Sequence, residues 1–123
     1  MKIAITAENQ GSTDVVRVDP RFGRSSYFVI FNRDDESIEF IKNQGSDTSH
    51  GAGVQAVQTL VDKDIEVLIT GRVGPKAFRG LQEAGIDIYL TDDNTIKNAL
   101  TAFENDELTK SGGPTGGKHP GRK

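Results

Sequence analysis

Cysteine is absent from this chain of 123 residues, and histidine occurs only as His50 and His119. The absence of cysteine excludes disulfides, thiolate nucleophiles, and zinc or iron–sulfur sites held by the chain's own thiolates. A metal must therefore be held through nitrogen or oxygen ligands, or arrive in a preassembled cluster. With two imidazoles in the chain, we expect no tightly held structural metal.

Long apolar runs are also missing. No stretch approaches the roughly 20 apolar residues that span a bilayer, and residues 1–5 read as the start of a strand, without the architecture of a signal peptide. These absences predict a cytoplasmic protein with no membrane partner. The length fits one domain with a single core.

Basic charge is concentrated at the end of the chain. Residues 109–123 contain four Lys or Arg and no acidic residue, so they carry +4 while the rest carries −7, within a formal net charge of −3. An acidic body lacks the basic face of a nucleic-acid-binding protein, so we expect no nucleic-acid partner. Glycine and proline in residues 109–123 predict a flexible tail after one α/β domain at residues 1–108.

Hydrophobic periodicity predicts the element order βββαβαβα. The five predicted strands lie at residues 1–6, 27–31, 37–41, 66–70 and 86–90. The helices are predicted to begin near Ser49, Pro75 and Ile96, with Thr48 or Ser49 as the first N-cap. Right-handed crossovers favour a five-stranded mixed sheet of order 3-2-1-4-5, with strand 2 antiparallel and helices on both faces. This is a ribonuclease H-like three-layer layout.

Three glycine-bearing segments, at residues 19–25, 49–53 and 70–76, follow strands that end at one edge of this sheet. The chain leaves neighbouring strands 1 and 4 in opposite directions, which predicts a crevice at this switch point. Glycines permit close approach to the backbone, and two helix N-termini offer N–H groups to an anion. The candidate ligand-binding residues are Arg21, Phe22, Gly23, Arg24, His50, Gly51, Gly53, Gly71, Arg72, Gly74 and Lys76.

His50 is predicted to lie in a first helical turn, where the helix dipole disfavours its protonation. A neutral imidazole is the form that binds metals, so His50 is a candidate metal ligand.

Each feature also has a purely structural interpretation. Residues 71–75 could form only a tight strand-to-helix turn, and His50 could be a cap or a surface residue. Arg21 and Arg24 could pair with nearby acids merely to hold a long loop in place. The convergence of so many glycines and cations at one sheet edge favours a binding site.

Known catalytic arrangements are missing. Ribonuclease H-like nucleases hold two metals with carboxylates inside strand 1, on the first helix and at the end of strand 4. The corresponding residues 3–6, 54–57 and 69–70 contain no acidic residue. There is no nucleophile elbow, P-loop lysine motif or Cys/His pair. We therefore predict no catalytic residues and no enzymatic activity.

The spaced motifs resemble the dinitrogenase iron–molybdenum cofactor biosynthesis family. The resemblance rests, in order, on residues 1–5, 19–25, 49–53, 69–78 and 81–86, and it extends to about residue 108. Members include small stand-alone proteins, nitrogenase cofactor carriers and a domain appended to a cofactor synthase. The resemblance implies a ribonuclease H-like fold and binding of an iron–sulfur or iron–molybdenum cluster, or its precursor, without catalysis.

One position departs from the family pattern. In nitrogenase-associated carriers the loop commonly reads His-Phe-Gly, and its histidine is a proposed cluster contact, whereas this chain has Arg21. Arginine does not ligate iron but can pair with an anionic cluster or its organic acid. His50 is then the candidate cluster ligand in the domain.

The leading hypothesis is a carrier or chaperone that transiently binds such a cluster and works with cofactor-assembly proteins. A sensor or regulatory module that binds a phosphorylated small molecule or nucleotide in the same crevice is the alternative. An adaptor that uses its tail and surface to bind a protein partner is a third.

Overall fold

The computed structural model describes residues 1–47, 51–92 and 94–112. Its strands are β1 (Lys2–Ala7), β2 (Tyr27–Asn32), β3 (Ser37–Lys42), β4 (Val67–Thr70), β5 (Asp87–Leu90) and β6 (Thr109–Lys110). Its helices are α1 (Ala52–Asp62), α2 (Pro75–Glu83) and α3 (Ile96–Glu104), and a short 3₁₀ helix at Gln44–Asp47 precedes α1. None of the helices in these ranges is long and apolar enough to cross a membrane.

The strands form one open mixed sheet of order β3-β2-β1-β4-β5-β6. Strand β2 runs antiparallel to β1 and β3, while β4 runs parallel to β1 and β5. The predicted order of the first five strands and the antiparallel second strand are therefore confirmed. The carboxyl ends of β1, β4 and β5 meet at one edge of the sheet.

The prediction of five strands is wrong, because β6 adds a sixth at the edge of the sheet. Thr109 pairs with Leu90, and the Ser111 amide donates to the Ile88 carbonyl at 2.8 Å. The Lys110 ammonium also lies 3.3 Å from the Asp87 carboxylate. Composition did not indicate this strand, because it forms where the edge of β5 offers unpaired backbone groups that a short segment can bond. Residues 113–123 of the predicted tail, His119 included, lie outside the described residues.

Two apolar layers enclose the sheet, one on each face. The first contains buried side chains of α1 and α2, such as Leu60 and Leu81, packed on Phe28 and Leu68. The second contains buried side chains of α3, such as Ile96, packed on the opposite face. Helices therefore cover both faces of the sheet, as the crossover topology predicted.

The start of α1 differs from the prediction. The helix begins at Ala52, and its N-cap is Gly51, which has a φ of 73° in the left-handed region. Glycine adopts this conformation without steric cost, so it can begin a helix where the chain turns sharply. The predicted N-cap at Thr48 or Ser49 is therefore wrong, because the N-cap is Gly51. The predicted position of His50 in a first helical turn falls on a residue outside the described ones. Residues 48–50 lie outside the described residues.

Helix α3 begins with a side-chain cap, and this cap can be tested. The Thr95 hydroxyl accepts a hydrogen bond from the Asn98 amide at 3.1 Å. Replacing Thr95 with alanine removes that acceptor, and we expect a loss of about 1 kcal/mol in the free energy of unfolding, measured by urea denaturation. Thr95→Ser keeps the hydroxyl and should restore most of the stability. Equal stabilities of the two variants would contradict the capping role.

Candidate functional site

The long connection from β1 to β2 is fastened to the sheet by buried hydroxyls. The Thr6 hydroxyl donates to the Asp19 carbonyl at 2.6 Å and lies 2.8 Å from the Thr70 hydroxyl. The Asp19 amide donates in turn to the Thr6 carbonyl at 2.9 Å. Because Thr6 and Thr70 lie in β1 and β4, these bonds hold residues 19–25 above the boundary between the two strands.

The connection after β4 passes directly against this loop. A Cβ atom built on Gly71 would lie 2.6 Å from the Pro20 Cα and 2.7 Å from the Pro20 carbonyl oxygen. One residue further on, the Arg72 carbonyl accepts a hydrogen bond from the Phe22 amide at 3.3 Å. Gly71 is therefore needed for packing of backbone against backbone.

Arg21 is anchored by its neighbour Asp19. The Asp19 residue is only 3 % exposed, and its carboxylate accepts from the Arg21 amide at 3.0 Å and lies 3.4 Å from the Arg21 Nε. The Arg21 side chain is itself 54 % exposed. The structural pairing proposed from sequence thus exists for Arg21, and it leaves part of the guanidinium open to solvent.

Two glycines allow the loop, α1 and α2 to meet. A Cβ atom on Gly23 would lie 3.0 Å from the Gly53 amide nitrogen, and one on Gly53 would lie 3.1 Å from the Ala77 Cβ. Side chains at these positions would push the three segments apart. The glycines therefore allow the loop to pack against the first turn of α1 and that turn to pack against α2.

The three segments enclose an open cleft of about 640 Å³. Four cationic side chains line it, together with an apolar surface and several glycines, and none of its lining residues is acidic. The lining residues are Arg21, Phe22, Gly23, Arg24, Ala52, Gly53, Arg72, Gly74, Pro75, Lys76 and Ala77. Such a lining attracts an anion and offers an apolar surface beside the charges.

Both helices that begin at this cleft lack a side-chain cap. The N-caps of α1 and α2 are Gly51 and Gly74, and neither makes a side-chain hydrogen bond. The first-turn N–H groups of a helix have no partner within the helix, and they carry the positive end of its dipole. The first turns of both helices line the cleft through Ala52, Gly53, Lys76 and Ala77. The capped helix α3 begins elsewhere.

Two of the cations are available to a ligand. Among the residues that the structure describes, the side chains of Arg72 and Lys76 have no hydrogen-bond or ion-pair partner. Both are exposed to solvent.

Gly74 differs from Gly71 because a Cβ atom there would meet nothing within 4 Å and its φ of −72° is ordinary. Neither this backbone conformation nor the described surroundings require glycine at position 74.

The structure brings together eight of the eleven predicted binding residues. They are Arg21, Phe22, Gly23, Arg24, Gly53, Arg72, Gly74 and Lys76. Gly71 does not line the cleft but packs against Pro20, Gly51 is the N-cap of α1, and His50 lies outside the described residues. Phe22 is 2 % exposed and packs mainly in the core, with its ring centroid 5.9 Å from that of Phe28. That these residues bind a ligand stays a prediction.

The sequence analysis did not identify the polar residues that support the cleft. Thr6, Thr70 and Asn43 are all fully buried. Each comes at or just after the end of a predicted strand, and a polar residue at such a position is a signal that could have indicated a role at the sheet edge.

Within the described ranges, no group of three or more His, Asp or Glu residues could hold a metal ion.

Fold and cleft together define a small α/β protein with a cationic cleft at the carboxyl edge of its sheet. Residues 1–106 match the family described as dinitrogenase iron-molybdenum cofactor. The chain therefore belongs to the dinitrogenase iron–molybdenum cofactor family, and the resemblance found in the sequence is confirmed.

Solved structures of relatives agree with this assignment. The apo form of the orange protein (ORP) from Desulfovibrio gigas is 40 % identical, with a TM-score of 0.87 over 93 % of this chain and 95 % of that one. A NifB-like protein from Thermotoga, of the DUF35 family, is 33 % identical, with a TM-score of 0.78 over 89 % and 91 % of the two chains. An uncharacterized protein of Methanocaldococcus jannaschii is 28 % identical over 113 residues, which are 89 % of this chain and 91 % of that protein.

Proposed function

We propose that this protein is a non-catalytic carrier or chaperone that transiently binds an iron–sulfur or iron–molybdenum cluster, or its precursor, during cofactor biosynthesis. The observation that carries the proposal is the cleft, where four cationic side chains and the N-termini of two helices without side-chain caps converge. Metal–sulfur clusters with organic acid ligands are anionic, which suits this lining. Membership of the cofactor family supports the same cargo.

In this proposal the described residues hold the cluster through charge and hydrogen bonds. Arg72 and Lys76 are the leading contacts, because both side chains are exposed and have no partner within the described part of the chain. Arg21 and Arg24 add charge from the loop, where Arg21 forms an isolated parallel bridge with Arg72. His50, two residues before Ala52 in the sequence, stays a candidate metal ligand. Cofactor-assembly proteins are the proposed partners, and a cytoplasmic location stays a prediction.

The wider fold is part of the proposal. We infer a ribonuclease H-like layout, which is supported by the strand order β3-β2-β1-β4-β5 and by helices on both faces of the sheet. The carboxylates that hold two metals in nucleases of this layout are missing at the corresponding positions, where residues 3–6 and 69–70 contain none. The layout therefore supports binding without hydrolysis.

The second candidate is a sensor that binds a phosphorylated small molecule or nucleotide. Helix N-termini and unpaired Arg or Lys side chains also suit phosphate groups. The two candidates differ in their readouts. Cluster binding predicts visible absorbance, oxygen sensitivity and dependence on His50, whereas phosphate binding predicts a colourless complex that depends mainly on Arg72, Lys76 and the N-terminus of α2.

The test is an anaerobic titration of the purified protein with isolated iron–molybdenum cofactor and with a simpler iron–sulfur precursor. Binding is read as visible absorbance that co-elutes with the protein. In the double variant Arg72→Ala/Lys76→Ala we expect affinity to fall by at least roughly tenfold, because two charge-assisted contacts are lost. Stability should change by less than about 1 kcal/mol, because neither side chain is buried.

The matched control is Lys63→Ala/Lys97→Ala, which removes the same charge at positions that do not line the cleft. It should bind like the wild type, since only local charge is expected to matter. His50→Ala tests direct ligation, and a weaker complex would assign that role. If neither cluster binds, the carrier proposal is wrong. Pyrophosphate and ATP are then titrated by calorimetry, and binding lost only in the cleft variant would favour the sensor.

A further inference from the structure

Asn43 lies just after β3, outside the cleft, and is fully buried. Its side-chain amide donates to the Gly23 carbonyl at 3.1 Å and to the Ser25 carbonyl at 2.9 Å. Its side-chain oxygen accepts from the Gly45 amide at 3.1 Å. Both amide hydrogens and the carbonyl are thus used, which is the state expected of a buried amide that holds two backbone segments together.

The two segments that Asn43 joins lead to different walls of the cleft. Gly23 belongs to the loop that carries Arg21 and Arg24, and it lies against the first turn of α1 at Gly53. Gly45 belongs to the 3₁₀ helix that precedes α1, and a Cβ atom on it would lie 3.0 Å from the Ala52 carbonyl oxygen. One buried side chain therefore connects the loop wall to the segment packed beneath the N-terminus of α1.

We infer that Asn43 is a positioning residue for the cleft, which sets the separation between the cationic loop and the N-terminus of α1. The inference rests on the proposed function for the identity of the bound ligand. The hydrogen bonds of Asn43 are the same whichever anion binds. A wall that moves by a fraction of an ångström weakens every charge-assisted contact made across the cleft. Asn43 contacts no ligand itself and acts through Gly23, Ser25 and Gly45.

The test compares Asn43→Ala with Val67→Ala in the anaerobic titration with isolated iron–molybdenum cofactor. Val67 is 3 % exposed and begins β4, at the end of the strand remote from the cleft. Both variants should be less stable, so binding is measured at a temperature where both are folded. We expect the affinity of Asn43→Ala for the cofactor to fall roughly tenfold, as it does when a residue that orients ligand-contacting groups is removed. Val67→Ala should bind like the wild type. Equal affinity in all three proteins, or a similar loss in both variants, would overturn the inference.

A second measurement keeps the inference testable without a ligand. The rate of amide hydrogen exchange at Gly23 and Gly53 is compared in the wild type, in Asn43→Ser and in Val67→Ala. Serine is used because it keeps one hydrogen-bond donor, in case Asn43→Ala does not fold. Faster exchange at both glycines in Asn43→Ser alone would support positioning, and unchanged exchange there would overturn it. If the wild type binds no cluster, the proposed function fails, and the exchange result alone decides the role of Asn43.

Discussion

Replacing Gly71 by alanine is expected to lower the free energy of unfolding by about 3 kcal/mol, the upper part of the range for overpacked sites. The added Cβ atom would lie 2.6 Å from the Pro20 Cα and 2.7 Å from the Pro20 carbonyl oxygen. Both are backbone atoms, so no side chain can turn away to relieve the clash. The loop would have to move off β4, which would strain the Thr6–Asp19 hydrogen bond.

The matched control for this prediction is Gly74→Ala, three residues along the same connection. A Cβ atom at Gly74 would meet nothing within 4 Å, and the residue has an ordinary φ of −72°. We expect its stability to change by less than about 1 kcal/mol, since alanine is only a poorer N-cap than glycine. Both variants are measured by urea denaturation. Equal stabilities would show that the loop yields easily and that Gly71 is not required for packing.

Truncating Phe22 to alanine is expected to lower the free energy of unfolding by about 3–5 kcal/mol, the range for a large aromatic removed from a core. Phe22 was predicted from sequence as a ligand-binding residue. Its ring is packed against Phe28 within the layer formed by α1 and α2, and only 2 % of the residue is exposed. Its main contribution is therefore expected to be to stability, by holding the cationic loop to the core.

Phe40→Ala is the matched control for Phe22→Ala, because it makes the same truncation at a half-buried ring on β3. We expect it to cost clearly less, since fewer packing contacts and less buried area are lost. Stability is measured by urea denaturation, and cluster binding is measured where each variant is folded. A Phe22→Ala variant of nearly normal stability that no longer binds the cluster would assign Phe22 to the ligand instead of the core.

Much of the sheet was predictable because its signals are local. The strongly β-forming run of β2 and the continuous apolar run of β4 are read within a few positions, and so is the proline that opens α2. Strand β6 was missed because only two residues pair, and their composition resembles the tail that follows. The start of α1 was misplaced because Ser and Thr are strong N-caps in general. Here Gly51 begins the helix in a left-handed conformation.

The residues that form the candidate site were largely predictable from the sequence, but the role of each residue was less predictable. Arg72 and Lys76 were identified as cations near a helix start, and they line the cleft. The same reasoning gave Gly71 and Gly74 one role, as places where a ligand can approach the backbone. Their surroundings differ completely, because Pro20 fills the space at one and the other faces open space.

The sequence by itself determined the order of the first five strands and three helices, the absence of thiolate ligands, and the set of cations and glycines at the carboxyl edge of the sheet. These properties depend on residue type and short spacing, which are local. Only the tertiary structure decided that Thr6 meets Thr70, that Gly71 packs against Pro20 and that Asn43 is buried. The positions of Thr6 and Thr70 differ by 64 residues. Contacts over such separations arise from how the strands pair and the loops pack, and no local pattern encodes them.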